Sequence, residues 1–95
     1  MLLLESHIEN YLRQEVRRAG GTALKFVSPS RRGVPDRICM FPRGRLIFVE
    51  VKALGKKPTR QQEYVHEQLR GLGQIVEVVD SKEAVDHFIE RVLGD

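Results

Sequence analysis

Asp36, Glu50 and Lys52 are the residues of this chain best suited to chemistry, and they sit at the two ends of one apolar stretch. Asp36 precedes Ile38-Cys39-Met40-Phe41, and Glu50 and Lys52 close Leu46-Ile47-Phe48-Val49-Glu50-Val51-Lys52. Two carboxylates offer hard oxygen ligands of the kind Mg²⁺ takes, one or two at a time, beside water and substrate phosphate. An amine next to them can orient or deprotonate a water, or neutralise charge building on phosphorus. The plainer reading is a solvated strand end with a surface ion pair, stabilising by only about 0–1 kcal/mol.

Whether the three can meet depends on the elements that carry them. Residues 33–52 read as two strands joined by a tight turn, apolar on both faces, as expected for the middle of a covered sheet. Pro42-Arg43-Gly44 fits a three-residue loop built on a type I turn with Gly44 left-handed. Phe41 then pairs with Arg45, and Asp36 falls opposite Glu50. Paired residues share a face, and so do Glu50 and Lys52, two apart on one strand. A four-residue loop would shift the register by one and turn Asp36 to the other side.

Gly33-Val34-Pro35-Asp36, then Glu50-Val51-Lys52 after thirteen intervening residues, resembles the Asp…Glu-x-Lys signature of the PD-(D/E)XK nuclease superfamily. More narrowly, it resembles the VRR-NUC (virus-type replication-repair nuclease) family, in its stand-alone form. Glu5 followed by Ile8 and Leu12, Gln62 opening the helix after the motif, and the closing Ile75–Val79 strand extend the match over nearly the whole chain. The resemblance implies a restriction-endonuclease-like α/β core. It implies one or two Mg²⁺ or Mn²⁺ ions held by Asp36, Glu50, the Val51 carbonyl and Glu5, with Lys52 and Gln62 completing the catalytic group. It also implies a homodimer acting on four-way (Holliday) DNA junctions, whereas related domains in larger repair proteins act on flaps and crosslinks.

Ninety-five residues make one small domain, here taken as 1–95. No apolar run approaches the ~20 residues that span a bilayer. Met1-Leu2-Leu3-Leu4 is too short for a signal peptide and has no cationic region. The lone Cys39 excludes an internal disulfide and fits a buried thiol in a cytoplasmic protein. A net charge of +3 conceals an asymmetry: residues 1–60 hold thirteen Lys/Arg against five acids, and residues 61–95 hold three against eight. A polyanion suits the basic part, although basic residues can also serve only to solubilise a face.

In chain order, residues 3–19 form an amphipathic helix with Ile8, Tyr11, Leu12, Val16 and Ala19 inward and Gly20-Gly21 ending it. Glu5 either complements the helix dipole or reaches the metal, and Ser6-x-x-Glu9 fits a capping box that starts the helix at residue 7. Thr22–Val27 is a strand. The loop from Ser28 to Pro35 places Arg31 and Arg32 beside Asp36, either for phosphate contact or as a solvated segment. A second basic loop carries Lys56 and Lys57. Thr59-Arg60-Gln61-Gln62 then opens a helix to about Leu72, with Val65, Leu69 and Leu72 inward. Arg60 joins the basic set, and Gln62 fits both a capping box with Thr59 and a place in the site. Ile75–Val79 is a buried strand, reached by a right-handed crossover and parallel to its neighbour. Asp80-x-x-Glu83 starts a last helix with Val85, Phe88, Ile89 and Val92 inward. The order is α-β-β-β-α-β-α, a mixed central sheet flanked by helices.

His7, His66 and His87 lack zinc-ligand spacing and read as helix-surface or boundary residues. No Gly-rich nucleotide loop is present, and without Trp there is no visible platform for stacking bases. The expected function is metal-dependent DNA hydrolysis at branched junctions. The alternatives are an end-, nick- or flap-directed nuclease and a non-catalytic basic DNA-binding module.

Overall fold

Ile8, Leu12 and Val16 recur at helical spacing and are fully buried, which seats the first helix, α1 (Glu5–Arg18), on the sheet. The computed structural model of the chain describes residues 4–94. After α1 come β1 (Thr22–Lys25), β2 (Arg37–Phe41), β3 (Arg45–Val51), α2 (Arg60–Gly71), β4 (Val76–Val79) and α3 (Lys82–Gly94). This is the expected order of elements. The strands lie in the order β1-β2-β3-β4, with β1–β2 and β2–β3 antiparallel and β3–β4 parallel across the α2 crossover. The mixed α/β sheet is therefore as expected.

Strand alternation divides the sheet into two unlike faces. Cys39, Phe41, Ile47, Val49, Val51 and Val79 point to one side, where they pack with Ile8, Leu12 and Val16 of α1 and Val85, Phe88 and Val92 of α3. Phe41 meets Phe88 edge-on, with ring centroids 5.9 Å apart. Tyr11 Oη donates to Asp86 Oδ1 at 2.7 Å and ties α1 to α3. The other side is covered by α2, whose buried residues are Val65 and His66. Covering is incomplete there: Leu24, Met40 and Leu46 are exposed. The hairpin is thus sealed on both faces only toward its charged end.

The register of the hairpin is the predicted one. Phe41 pairs with Arg45 and Arg37 with Val49, so paired numbers sum to 86 and Asp36 lies opposite Glu50. The turn conformation differs, because Arg43 (φ 71°) joins Gly44 (φ 72°) in the left-handed region. Loop length, not turn type, fixes the pairing.

Several boundaries shift. The first helix starts at Glu5 rather than residue 7, and Leu4 N–H donates to His7 Nδ1 at 3.2 Å, so the Ser6–Glu9 capping box is not used. β1 ends at Lys25, although Phe26 N–H still donates to the Asp36 carbonyl at 2.8 Å. Leu72 and Ile75 are exposed, because α2 ends at Gly71 and β4 begins at Val76. Ser81, not Asp80, caps α3, its Oγ accepting from Ala84 N–H at 3.0 Å. Of the apolar Leu2-Leu3-Leu4 start, Leu2 and Leu3 lie outside the described residues, and Leu4 is exposed.

Candidate active site

β2 begins one residue too late for the pairing of Asp36 with Glu50 to be completed, and this determines how Asp36 sits. Val51 N–H, which lies beyond the start of β2, donates instead to Asp36 Oδ2 at 2.9 Å. A residue's N–H and C=O in a strand point to the same neighbour, so the Val51 carbonyl also faces the Asp36 edge. Glu50 projects to the opposite face from Val51, under α2, and is almost wholly buried at 1% exposure. Its carboxyl is pushed up to about 8, first by burial and then by hydrogen bonding to, and the charge of, the Asp36 carboxylate beside it. Lys52 opposes that shift from across the group, with Nζ 3.7 Å from Glu50 Oε2.

α2 supplies the roof. Thr59 Oγ1 accepts from Gln62 N–H at 3.2 Å, and Gln62 Oε1 accepts from Thr59 N–H at 2.8 Å, the reciprocal cap predicted for this sequence. The same Gln62 amide then donates from Nε2 to Glu50 Oε2 at 3.2 Å, so capping and a place in the site coexist. One turn on, His66 Nε2 stands 3.4 Å from Glu50 Oε1. His66 is 1% exposed, and burial, Arg70 and Lys52 lower its pKa, favouring the neutral ring. Neither His66 Nε2 nor Glu50 Oε1 has a hydrogen-bond partner among the described residues. The placement of His66 on the helix surface or boundary is thereby corrected: it lies over the site's most buried carboxylate. Its spacing of four from Gln62 was the available signal.

The basic residues gather around the start of α2. Gly33 (φ +88°) brings the loop between β1 and β2 against it, since a Cβ there would lie 3.0 Å from both Gln61 O and Val65 Cγ2. Arg31 and Arg32, just before it, are exposed, as are Lys56 and Lys57 in the loop after β3 and Arg60 at the head of α2. Glu5 is not brought into the group: it is exposed at the first position of α1. Among the described residues no three His, Cys, Asp or Glu side chains surround a common point.

Two carboxylates, one of which keeps an orphaned oxygen (Glu50 Oε1), and a backbone carbonyl make an all-oxygen donor set with too few side chains for a structural zinc site. That set fits Mg²⁺ or Mn²⁺, which keep much of their water. The crowding of Asp36 and Glu50 in a dry setting is relieved by a cation, and Lys52 alone relieves it only in part.

No family model matches the chain. It is 54% identical over 82 residues to "Putative nuclease p44" of Acyrthosiphon pisum secondary endosymbiont phage 1, covering 86% of this chain and 88% of that one. It is also similar to a solved structure described as "VRR_NUC domain", with a TM-score of 0.85 and 36% identity over 90% of this chain and 94% of the other. With the same fold, that degree of identity and nine-tenths or more of each chain covered, the chain belongs to the VRR-NUC family.

Proposed function

We propose that the protein is a divalent-metal-dependent nuclease that hydrolyses DNA phosphodiester bonds. The observation that carries this reading is the meeting of Asp36, Glu50 and Lys52 at one end of a buried strand pair, roofed by Gln62. The relative named as a nuclease supports the reaction class. Asp36, Glu50 and the Val51 carbonyl would hold Mg²⁺ or Mn²⁺. Bound there, such an ion polarises a phosphoryl oxygen and makes water a better nucleophile at neutral pH.

The protein's own groups do the rest. Gln62 and Lys52 grip Glu50 Oε2 and fix the direction of its carboxylate. Lys52 carries the only ammonium in the group and serves to orient water or offset charge growing on phosphorus. Glu5, exposed at the start of α1, would add a third carboxylate only by turning in past Glu9, whose ion pair with Arg37 fastens that end of α1 to the start of β2. Arg31, Arg32, Lys56, Lys57 and Arg60 supply phosphate contacts around the start of α2.

The preferred substrate is a four-way junction cut by a homodimer, because two symmetric cuts need two sites and a two-fold pair supplies them. Four-way, flap and linear duplexes of matched sequence, incubated with Mg²⁺ or Mn²⁺, test this. Junctions are expected to be cut fastest. Equal cutting of all three would remove the junction preference and leave an end- or nick-directed nuclease.

A further inference from the structure

A second concave surface lies away from Asp36 and Glu50, on the α1 side of the edge strand β1. It is a cleft of about 560 Å³ lined by Asn10, Arg13, Gln14, Arg17, Thr22 and Ala23. The four α1 residues follow the i, i+3, i+4, i+7 spacing, so one polar stripe of the helix forms a wall of the cleft. β1 forms the other wall and, as the last strand of the sheet, leaves its outer backbone groups without a strand partner.

The charge of this cleft is one-sided. No Asp or Glu among the described residues lines it, and the two acids nearby on α1 are engaged elsewhere: Glu9 with Arg37, and Glu15 with Arg18. Among the described residues, the side chains of Arg13 and Arg17 form no ion pair or hydrogen bond, although those of other arginines do (Arg37, Arg70 and Arg91). Two free guanidiniums in a concave setting, flanked by the amides of Asn10 and Gln14 and the Thr22 hydroxyl, make a site for phosphate oxygens.

We infer that this cleft binds the phosphodiester backbone of a nucleic-acid arm at a distance from the bond being cut. Arg13 and Arg17 are about 6 Å apart along the helix axis. Phosphates of one DNA strand rise about 3.4 Å per step along the duplex axis and are farther apart along the winding backbone, so the two guanidiniums are spaced to reach neighbouring phosphates. From Thr22 in the cleft to Phe26, just past β1, whose N–H donates to the Asp36 carbonyl, the extended chain runs about 14 Å. The cleft and the cleavage site therefore address different phosphates, with the β1 edge between them. A stripe of repeated donors along an open edge suits a periodic polyanion better than one small anion. The inference rests on the DNA reading above and extends it to a second contact region.

The test is duplex binding in EDTA, where Arg–phosphate contacts persist and cutting stops, with the double variant R13Q/R17Q. The control is R18Q/R91Q, which removes the same charge from two residues paired to Glu15 and Glu77. The cleft variant is expected to weaken binding by about 5- to 30-fold, and to flatten the slope of log K against log salt by about 1.8, the value for two lost phosphate contacts. The control should shift both far less. Equal effects in the two variants, or no effect in either, would overturn the inference. So would a fall in sedimenting mass of R13Q/R17Q alone, which would make the cleft a subunit contact. Plasmid cutting by the unaltered protein with Mn²⁺ is scored separately, so loss of the nuclease reading and loss of the cleft are told apart.

Discussion

The two faces of the sheet divide the work of the molecule. Under α1 and α3 the core cluster, from Ile8 to Val92, is apolar and each of its side chains is nearly or wholly buried, with polar pairs (Arg37–Glu9 and Tyr11–Asp86) beside it. Under α2 the cover is a single helix, and two of the most buried side chains, Glu50 and His66, are polar. The first face holds the chain together, and the second, hung on the same strands, can afford crowded charge. Stability and chemistry are thus separable by substitution here, although both faces share β2 and β3.

The largest separation is expected from Lys52→Ala. Cleavage should fall by roughly 10²–10⁴-fold, the usual scale for losing a group that handles a proton, while duplex and junction binding persist. Retained cleavage would remove Lys52 from the reaction, and no cleavage by the unaltered protein with Mg²⁺ or Mn²⁺ would make the acids structural and the chain a DNA-binding module. Phe88→Ala, on the opposite face, should lower stability by about 3–5 kcal/mol in urea denaturation. The folded fraction of that variant should cut at a near-normal rate, and a specific loss of turnover would break the division between faces.

A pH series sharpens the comparison. The folded chain keeps a proton on Glu50 up to about 8, whereas an ordinary glutamate releases it near 4.5. Folding therefore takes up a proton between those values, and the stabilisation, complete below 4.5, is lost as pH rises through 8. His66, lowered from 6.5, acts in the opposite sense below that value, so the fall due to Glu50 is cleanest above it. Without divalent cation, Tm should drop from pH 6.5 to 8. The rise in Tm on adding Mn²⁺ should grow over the same interval, because the ion competes with that proton. Glu50→Gln should abolish both trends, and an unchanged Mn²⁺ shift in that variant would remove Glu50 as a ligand. The smallest effect is expected from Thr59→Ala: about 1 kcal/mol of stability from the lost cap, with a modest slowing of cleavage as Gln62 loosens.

Much of this arrangement was legible in the sequence where geometry is local. The three residues Pro42–Gly44 were enough to set the pairing, even though Arg43 takes a conformation the expected turn does not contain. The Thr59–Gln62 cap was visible because both its bonds lie within four residues. His66 was missed for a physical reason. A hydrophobic scan weighs a histidine as polar, and only the depth of α2 over Glu50 makes it interior. Leu72 and Ile75 failed in the reverse direction, apolar by type but carried past the ends of their elements into solvent. The basic cleft beside β1 was equally invisible, since its walls come from a helix and a strand that only the fold sets side by side.

The hydrogen bond from Val51 to Asp36 has a consequence for how variants of this protein behave. One oxygen of Asp36 stands in for a missing length of backbone, finishing the edge of β3 where the neighbouring chain has turned away. Truncating it to alanine would unstitch that edge as well as empty the site, mixing frayed structure with lost reactivity. Asparagine, which can still accept through its amide oxygen, would leave the seam closed and withdraw only the charge.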